Sequence, residues 1–132
     1  MNEEAILIKS FVIRKKQDRL IEFLANPKRR RDATTTLAHF KDLNPDCVVA
    51  LARGRNSPAE IADALRARGA GETCHVVSED RAIDGRRMPL IDALEHVVGY
   101  GMGTLLSCVP GELAYFEGEG PKDRCILAKL PT

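Results

Sequence analysis

The sequence predicts an α+β fold in which helices pack on a mixed sheet of about five strands, in the order α-α-β-α-β-α-β-β-β. Of the 132 residues, 44% are hydrophobic and 30% are charged, as in ordinary globular proteins. Residues 46–109 alternate short apolar runs with segments of helical periodicity, which indicates two β-α-β crossovers and hence parallel neighbouring strands. Residues 104–129 have the pattern of three short strands joined by turns, which favours antiparallel pairing.

The first 45 residues predict two helices. Residues 3–25 have helical spacing in their second half, although the branched residues of the first half also suit a strand. A second helix is predicted from Pro27 to about Leu43, with Asn26 as its N-cap and the proline at its first position. Asn44-Pro45-Asp46 then turns the chain.

A buried strand is predicted at 47–52, followed by a helix. Ser57-Pro58-Ala59-Glu60 has the form of a capping box with proline at the first helical position. Ile61 and Leu65 belong to the predicted buried face, and Gly69 suits the position after the helix end. This helix start is the clearest element boundary in the sequence.

The remaining elements follow the same alternation. Predicted strands lie at 73–78, 104–109, 112–117 and 124–129, with a polar loop at 79–87 and a helix at 89–99. Pro110-Gly111 suits the centre of a type II turn. We expect residues 1–132 to form a single globular domain, with a helical part at 1–45 and a mixed α/β part at 46–132.

Composition also bounds the cellular context. The sequence has no apolar run long enough to cross a membrane, and Asn2, Glu3 and Glu4 at its start do not resemble a signal peptide. The four cysteines (Cys47, Cys74, Cys108 and Cys125) lie in apolar runs and are predicted to be reduced core thiols. These features predict a cytoplasmic protein of the bacterial type without membrane association.

Two loops form the first predicted site. Because the carboxyl ends of parallel strands meet at one edge of a sheet, the loops at 53–57 and 78–87 are expected to share a rim. The first loop enters a helix N-terminus, which attracts anions. The predicted ligand-binding residues are Arg53, Arg55, Asn56, Ser57, Glu79, Asp80, Arg86 and Arg87. The alternative is that these are solvated loops whose charges pair with each other.

A basic segment forms the second predicted site. The net charge is +1, but eight of the lysines and arginines lie within 14–31 against only Asp18 and Glu22. Such a cluster could neutralise nucleic-acid phosphates. The predicted nucleic-acid-binding residues are Arg14, Lys15, Arg29, Arg30 and Arg31. The alternative is a solvated helical face near a helix junction.

Three function classes stay open at this level. The first is a non-enzymatic binding or regulatory module that engages an anionic small molecule or nucleic acid. The second is a small enzyme that uses Glu79, Asp80 or Asp84, with the arginines as substrate anchors. The third is a protein–protein interaction module or homodimer, in which an acidic hairpin at 112–123 meets the basic helices. We predict no cofactor and no metal site, because the sequence has no paired Cys or His ligands at zinc spacing.

Overall fold

Among the described residues, six strands form one sheet in which every neighbouring pair is antiparallel. The structure is a computed structural model that describes residues 2–54, 56–120 and 123–129. In chain order the strands are β1 (Val48–Ala50), β2 (Thr73–Ser78), β3 (Arg87–Pro89), β4 (Thr104–Val109), β5 (Leu113–Glu117) and β6 (Arg124–Ala128). Across the sheet they lie in the order β1-β6-β5-β4-β2-β3.

Five α-helices accompany the sheet within the same ranges. They are α1 (Glu3–Phe11), α2 (Arg14–Ala25), α3 (Arg30–Thr34), α4 (Pro58–Ala67) and α5 (Leu90–Val97), with 3₁₀ turns at Leu37–His39 and Pro45–Cys47. The predicted α+β class, with helices packed on a sheet, is confirmed, and the strands number six rather than five. The predicted start of α4 is also confirmed, because the Ser57 hydroxyl accepts a hydrogen bond from the Glu60 amide at 3.2 Å. None of the helices in the described ranges is long and apolar enough to cross a membrane.

The predicted helix at 3–25 is divided into α1 and α2 by an extended pair of residues. Val12 makes a β-bridge with Leu43, and the Ile13 amide donates to the Asp42 carbonyl at 2.8 Å. The Gln17 side chain donates to the Val12 carbonyl at 2.8 Å, which satisfies one of the carbonyls freed at the break. Tertiary pairing with 42–44 therefore overrides local helix propensity.

The predicted helix at 27–43 is reduced to the five residues of α3 and one 3₁₀ turn. Three threonines in a row follow Ala33, and β-branched residues are weak helix formers. The hydroxyls of Thr35 and Thr36 donate to the carbonyls of Arg31 and Ala33, both at 2.7 Å. These local bonds compete with a continued helix.

The predicted parallel neighbours are absent from the described strands because a strand within the predicted polar loop and helix start reverses the chain. β3 forms a hairpin with β2, closed by hydrogen bonds between Val76 and the 85–86 turn, where Gly85 has φ +76°. The chain therefore enters α5 from the opposite end of the sheet, and β4 returns antiparallel to β2. β1 and β2 do point the same way, but β6, β5 and β4 lie between them.

Helices cover both faces of the sheet. On the first face, α4 and α5 pack on side chains that alternate along the strands; these include Cys74, Val76, Leu106, Cys108, Leu113, Tyr115, Ile126 and Ala128. On the second face, α1 and α2 pack on the intervening side chains, which include Val77, Leu105, Ala114, Phe116, Cys125 and Leu127. Double coverage makes the strands nearly continuous apolar runs, a pattern that is typical of parallel sheets.

The four cysteines are buried free thiols, as predicted for the core. Burial raises the pKa of Cys74 to about 12 and that of Cys125 to about 11. Cys108 is shifted in the same direction, again because of burial. The thiolate form is therefore suppressed at neutral pH, which makes these side chains poor nucleophiles.

Two glycines provide a matched test of the packing around the 3₁₀ turn at 37–39. A Cβ on Gly103 would clash with the backbone of Leu37 and Ala38, whereas one on Gly71 would meet open space. Gly103→Ala should lower the free energy of unfolding by at least about 2 kcal/mol, because rigid backbone must move. Gly71→Ala should be within about 1 kcal/mol of wild type. Urea unfolding measures both, and equal effects would contradict the close approach at Gly103.

Candidate functional site

The two loops predicted to share a rim lie far apart. Both follow strands that point to the same end of the sheet, but three strands separate β1 from β2. Four interstrand spacings correspond to about 19 Å across the sheet. The expectation of one rim is therefore wrong.

The first loop contributes mainly to the start of α4. Arg53 and Asn56 are exposed, and Arg55 lies outside the described residues. The Ser57 hydroxyl, besides accepting from the Glu60 amide, donates to the Glu60 carboxylate at 2.9 Å. Ser57 is thus engaged in a helix cap, which gives it a structural role whether or not a ligand binds.

In the second loop, each predicted side chain has a partner within the chain. Glu79 accepts from the Gly103 amide at 3.0 Å, and Asp80 accepts from the Ala82 amide at 3.0 Å. Arg86 donates to the Ala82 carbonyl at 3.3 Å. Arg87 donates to Glu3 at 2.6 Å and to the Thr73 hydroxyl at 2.9 Å. These contacts hold the β2–β3 hairpin and attach it to α1.

Four charged or titratable side chains form a half-buried ionic cluster beneath α1. Arg30 of α3 donates to both carboxylate oxygens of Glu4, at 2.8 and 2.6 Å, and to both of Asp84, at 2.7 and 3.0 Å. The His75 ring lies 2.7 Å from Glu4, and Asp84 also accepts from the Ser78 amide at 3.0 Å. The cluster joins α1, α3 and the β2–β3 hairpin.

The cluster stabilises the ionised form of Glu4. Burial alone would raise the pKa of Glu4, but hydrogen bonds from Arg30 and His75, together with their charges, lower it from 4.5 to about 2. The same hydrogen bonds to Glu4 and Asp84 raise the pKa of Arg30. Arg30, which the sequence suggested as a nucleic-acid contact, is thus turned inward and paired with two carboxylates.

The other basic residues of 14–31 have different surroundings. Arg14, Lys15 and Arg31 are exposed, and Arg29 pairs with Asp32 at 2.8 Å. The first turn of α2 contains basic residues, lacks acidic ones and has no side-chain cap. Because a helix N-terminus already carries partial positive charge, this arrangement concentrates positive potential at one end of α2.

A groove of about 460 Å³ lies between α2 and the segment 29–42. Its apolar lining comes from Leu20, Phe23, Ala33 and Phe40, and its charged lining from Lys16, Arg19, Arg29, Asp32, His39, Lys41 and Asp42. This volume is within the range of small-molecule sites. The groove therefore combines an apolar floor with a mainly basic rim.

Phe23 lines that groove on the α2 side. The guanidinium carbons of Arg29 and Arg19 lie 4.3 Å and 5.2 Å from its ring centroid, within cation–π range. Phe40, on the opposite wall, packs against Phe116 of the sheet with ring centroids 6.5 Å apart. The site residues predicted from the sequence do not include Phe23, Lys16, Arg19 or Lys41. The i, i+4 spacing of Arg19 and Phe23 was the available signal.

The acidic hairpin reaches the edge of this groove at one point. Glu119 lies 2.9 Å from the His39 ring, and its amide donates to the Ala38 carbonyl at 2.9 Å. Glu117 instead points into the core, where it accepts from the Tyr115 hydroxyl at 2.6 Å and from Arg124 at 2.9 Å. Only part of the predicted acidic surface is thus available near the basic helices.

A second cavity, of about 510 Å³, is acidic. It is lined by Asp80, Asp92, Glu95, His96, Tyr100 and Met102. Within the ranges that the structure describes, no group of three or more Asp, Glu, His or Cys side chains has the geometry to hold a metal ion. We assign this cavity no ligand.

The chain matches no protein-family model, no curated protein and no solved structure.

The ionic cluster predicts a large difference between two adjacent arginines. Arg30→Ala would leave the carboxylates of Glu4 and Asp84 close together and largely buried, and it should lower the free energy of unfolding by about 3 kcal/mol. Arg31→Ala removes an exposed side chain and should change it by less than about 0.5 kcal/mol. Chemical denaturation at neutral pH measures both. Similar values for the two variants would contradict the assignment.

The cluster also predicts a pH dependence of stability. A carboxyl whose folded pKa is depressed contributes stability above its unfolded pKa, and that contribution is lost as the pH falls through the folded pKa. For Glu4 the window runs from 4.5 down to about 2. Glu4→Gln should cost about 3 kcal/mol at neutral pH, and the difference from wild type should shrink across this window. A difference that is constant with pH would contradict the assignment.

Proposed function

We propose that the protein is a non-enzymatic binding module for an anionic ligand with an apolar part, and that the ligand occupies the groove between α2 and 29–42. The supporting observation is the pairing of an apolar floor, formed by Leu20, Phe23, Ala33 and Phe40, with a mainly basic rim. Ligand sites are commonly apolar cavities with a few polar groups that orient the ligand.

The charges of the rim favour an anion. The groove is lined by four lysine and arginine side chains and by two aspartates, so its net charge is +2 with His39 counted as neutral. Among the ion pairs of the described residues, Asp32 is matched with Arg29, whereas Lys16, Arg19 and Lys41 have no carboxylate partner. These three cations can therefore contact a ligand without losing an internal salt bridge.

The floor favours a ligand that is more than a bare ion. Leu20, Phe23 and Phe40 are only partly buried although they pack against the core. An inorganic anion would leave this apolar surface exposed, whereas a ligand with an aromatic or aliphatic body would cover it and gain hydrophobic free energy.

Binding is favoured over catalysis by the state of the predicted catalytic carboxylates. Glu79 and Asp80 accept backbone hydrogen bonds, and Asp84 is paired with Arg30. All three carboxylates are therefore already engaged in contacts within the chain. The four cysteines are buried free thiols, which agrees with a reducing compartment. The cytoplasmic location stays a prediction.

A single-stranded nucleic acid is the second candidate. The observation in its favour is that exposed basic side chains extend beyond the groove, with Arg14 and Lys15 at the start of α2 and Lys28 and Arg31 after its end. A helix of this length, 12 residues, spans about 18 Å, enough for several phosphates. Aromatic side chains beside a basic track are typical of such sites.

Titration with two simple probes tests the groove. By calorimetry at about 50 mM salt, phenyl phosphate should bind at least about fivefold more tightly than inorganic phosphate, because the ring covers the apolar floor. Lys16→Ala and Arg19→Ala should each weaken binding of phenyl phosphate by about fivefold. Arg81→Ala, at an exposed arginine outside the groove, is the matched control and should have no effect.

Equal affinities for the two probes, or no loss in the Lys16 and Arg19 variants, would contradict the proposal. An oligothymidylate titrated in the same buffer tests the second candidate. There, Arg14→Ala and Lys15→Ala should each reduce the slope of log affinity against log salt by about 1. If only these two variants matter, the ligand is a nucleic acid that tracks α2 rather than a small molecule in the groove.

A further inference from the structure

The two edges of the sheet differ in how they are protected. β3 ends in Pro89, which has no amide hydrogen to donate. β1 contains no proline. Among the described residues it pairs only with β6, and its Val48 is 43% exposed. Successive residues of an antiparallel strand direct their N–H and C=O groups to opposite sides of the strand. Among the described residues, the groups on the outer side of β1 therefore have no partner strand.

Beside this edge lies a cleft of about 380 Å³ between β1 and α4. Its apolar lining includes Val49, Leu51, Ala64 and Ile126, and its charged lining consists of Glu60, Asp63 and Arg68. An open strand edge next to an apolar cleft is the arrangement that accepts an added β-strand.

We propose that the strand added here is β1 of a second copy of this chain, so that two protomers form a two-fold dimer with a continuous twelve-stranded sheet. A two-fold axis at Val49 makes the two β1 strands antiparallel. Val49 then lies opposite Val49, and Val48 lies opposite Ala50 of the other copy. Directly opposite residues share a face of the sheet, so the exposed Val48 gains an apolar neighbour.

The charges on α4 fit this occupant. Glu60, Ala64 and Arg68 are spaced at i, i+4 and i+8, so they follow one flank of the helix, and all three line the cleft. The two-fold axis makes the two copies of α4 antiparallel on the same face of the joined sheet. Glu60 of one copy then faces the end of the other α4 that carries Arg68, and the symmetry creates this pair twice. The small Ala64 lies between the two pairs. Asp63, the third charged residue of the cleft, lies 4.0 Å from Arg66 of its own helix, and the Glu60–Arg68 pairs between copies are complementary in charge.

This interface is separate from the proposed ligand groove. α4 covers one face of the sheet, and α1 and α2 cover the other. The dimer can be present or absent whether or not the groove binds an anion, so the two proposals are tested independently.

Sedimentation velocity tests the dimer on the intact chain. From about 1 µM to about 100 µM, wild type should shift from monomer to dimer. Val48→Lys places a charge on the open edge without altering the core and should raise the dissociation constant at least about tenfold. Tyr100→Lys replaces an exposed residue that is 71% accessible and lies outside the cleft; it is the matched control and should dimerise as wild type does.

Charge reversal identifies the geometry. Arg68→Glu places like charges opposite Glu60, and Glu60→Arg does the same with positive charge, so each variant alone should dimerise about tenfold more weakly. Mixed in equal amounts, the two variants should form a heterodimer, because both contacts are then attractive. Circular dichroism confirms that each variant is folded, since Glu60 also bonds to Ser57. A wild type that is monomeric throughout, a dimer insensitive to Val48→Lys, or variants that fail to associate when mixed would overturn the proposal.

Discussion

The position of the N-terminal helices depends on one arginine. Arg30 lies 21% exposed between two carboxylates that are distant in sequence, Glu4 on α1 and Asp84 in the β2–β3 hairpin. Each pair is bidentate, and a guanidinium offers enough donors to satisfy both carboxylates at once. With His75 on Glu4 and the Ser78 amide on Asp84, the cluster fixes α1 and α3 relative to the sheet.

The proposed ligand groove is a consequence of that placement. Its walls are α2, which follows α1 after the extended pair Val12-Ile13, and the segment 29–42, which contains α3. The close approach of Gly103 to Leu37 and Ala38 holds the far wall. Arg30 of the basic segment is thus paired inside the protein. Lys16 and Arg19 stay exposed and line the groove beside its apolar floor. The positive charge of this segment is thus divided between Arg30, which is paired with two carboxylates, and exposed cations that line the groove.

The faces of the sheet divide the molecule into two surfaces with different chemistry. The α1–α2 face carries the basic groove, and the α4 side of the other face carries the open edge at β1. A ligand on the first face and a second protomer at the edge would not compete. Because the dimer axis would duplicate the groove, a dimer would present two equivalent sites on the same face of the joined sheet.

The sequence by itself determined the class of fold, the buried cysteines and the elements that depend on local chemistry. The helix start at Ser57 formed as predicted, because the bond from the Glu60 amide to the Ser57 hydroxyl lies within one helical turn. The Glu60 carboxylate accepts from the Ser57 hydroxyl rather than from its amide. Strand pairing was decided only by the tertiary structure, because a sheet covered on both faces has the same apolar runs whether its strands are parallel or antiparallel. The inward turn of Arg30 was likewise undetermined, since its partners lie 26 and 54 residues away. The groove, the separation of the two predicted loops and the open edge at β1 all follow from contacts of that kind, which no local pattern records.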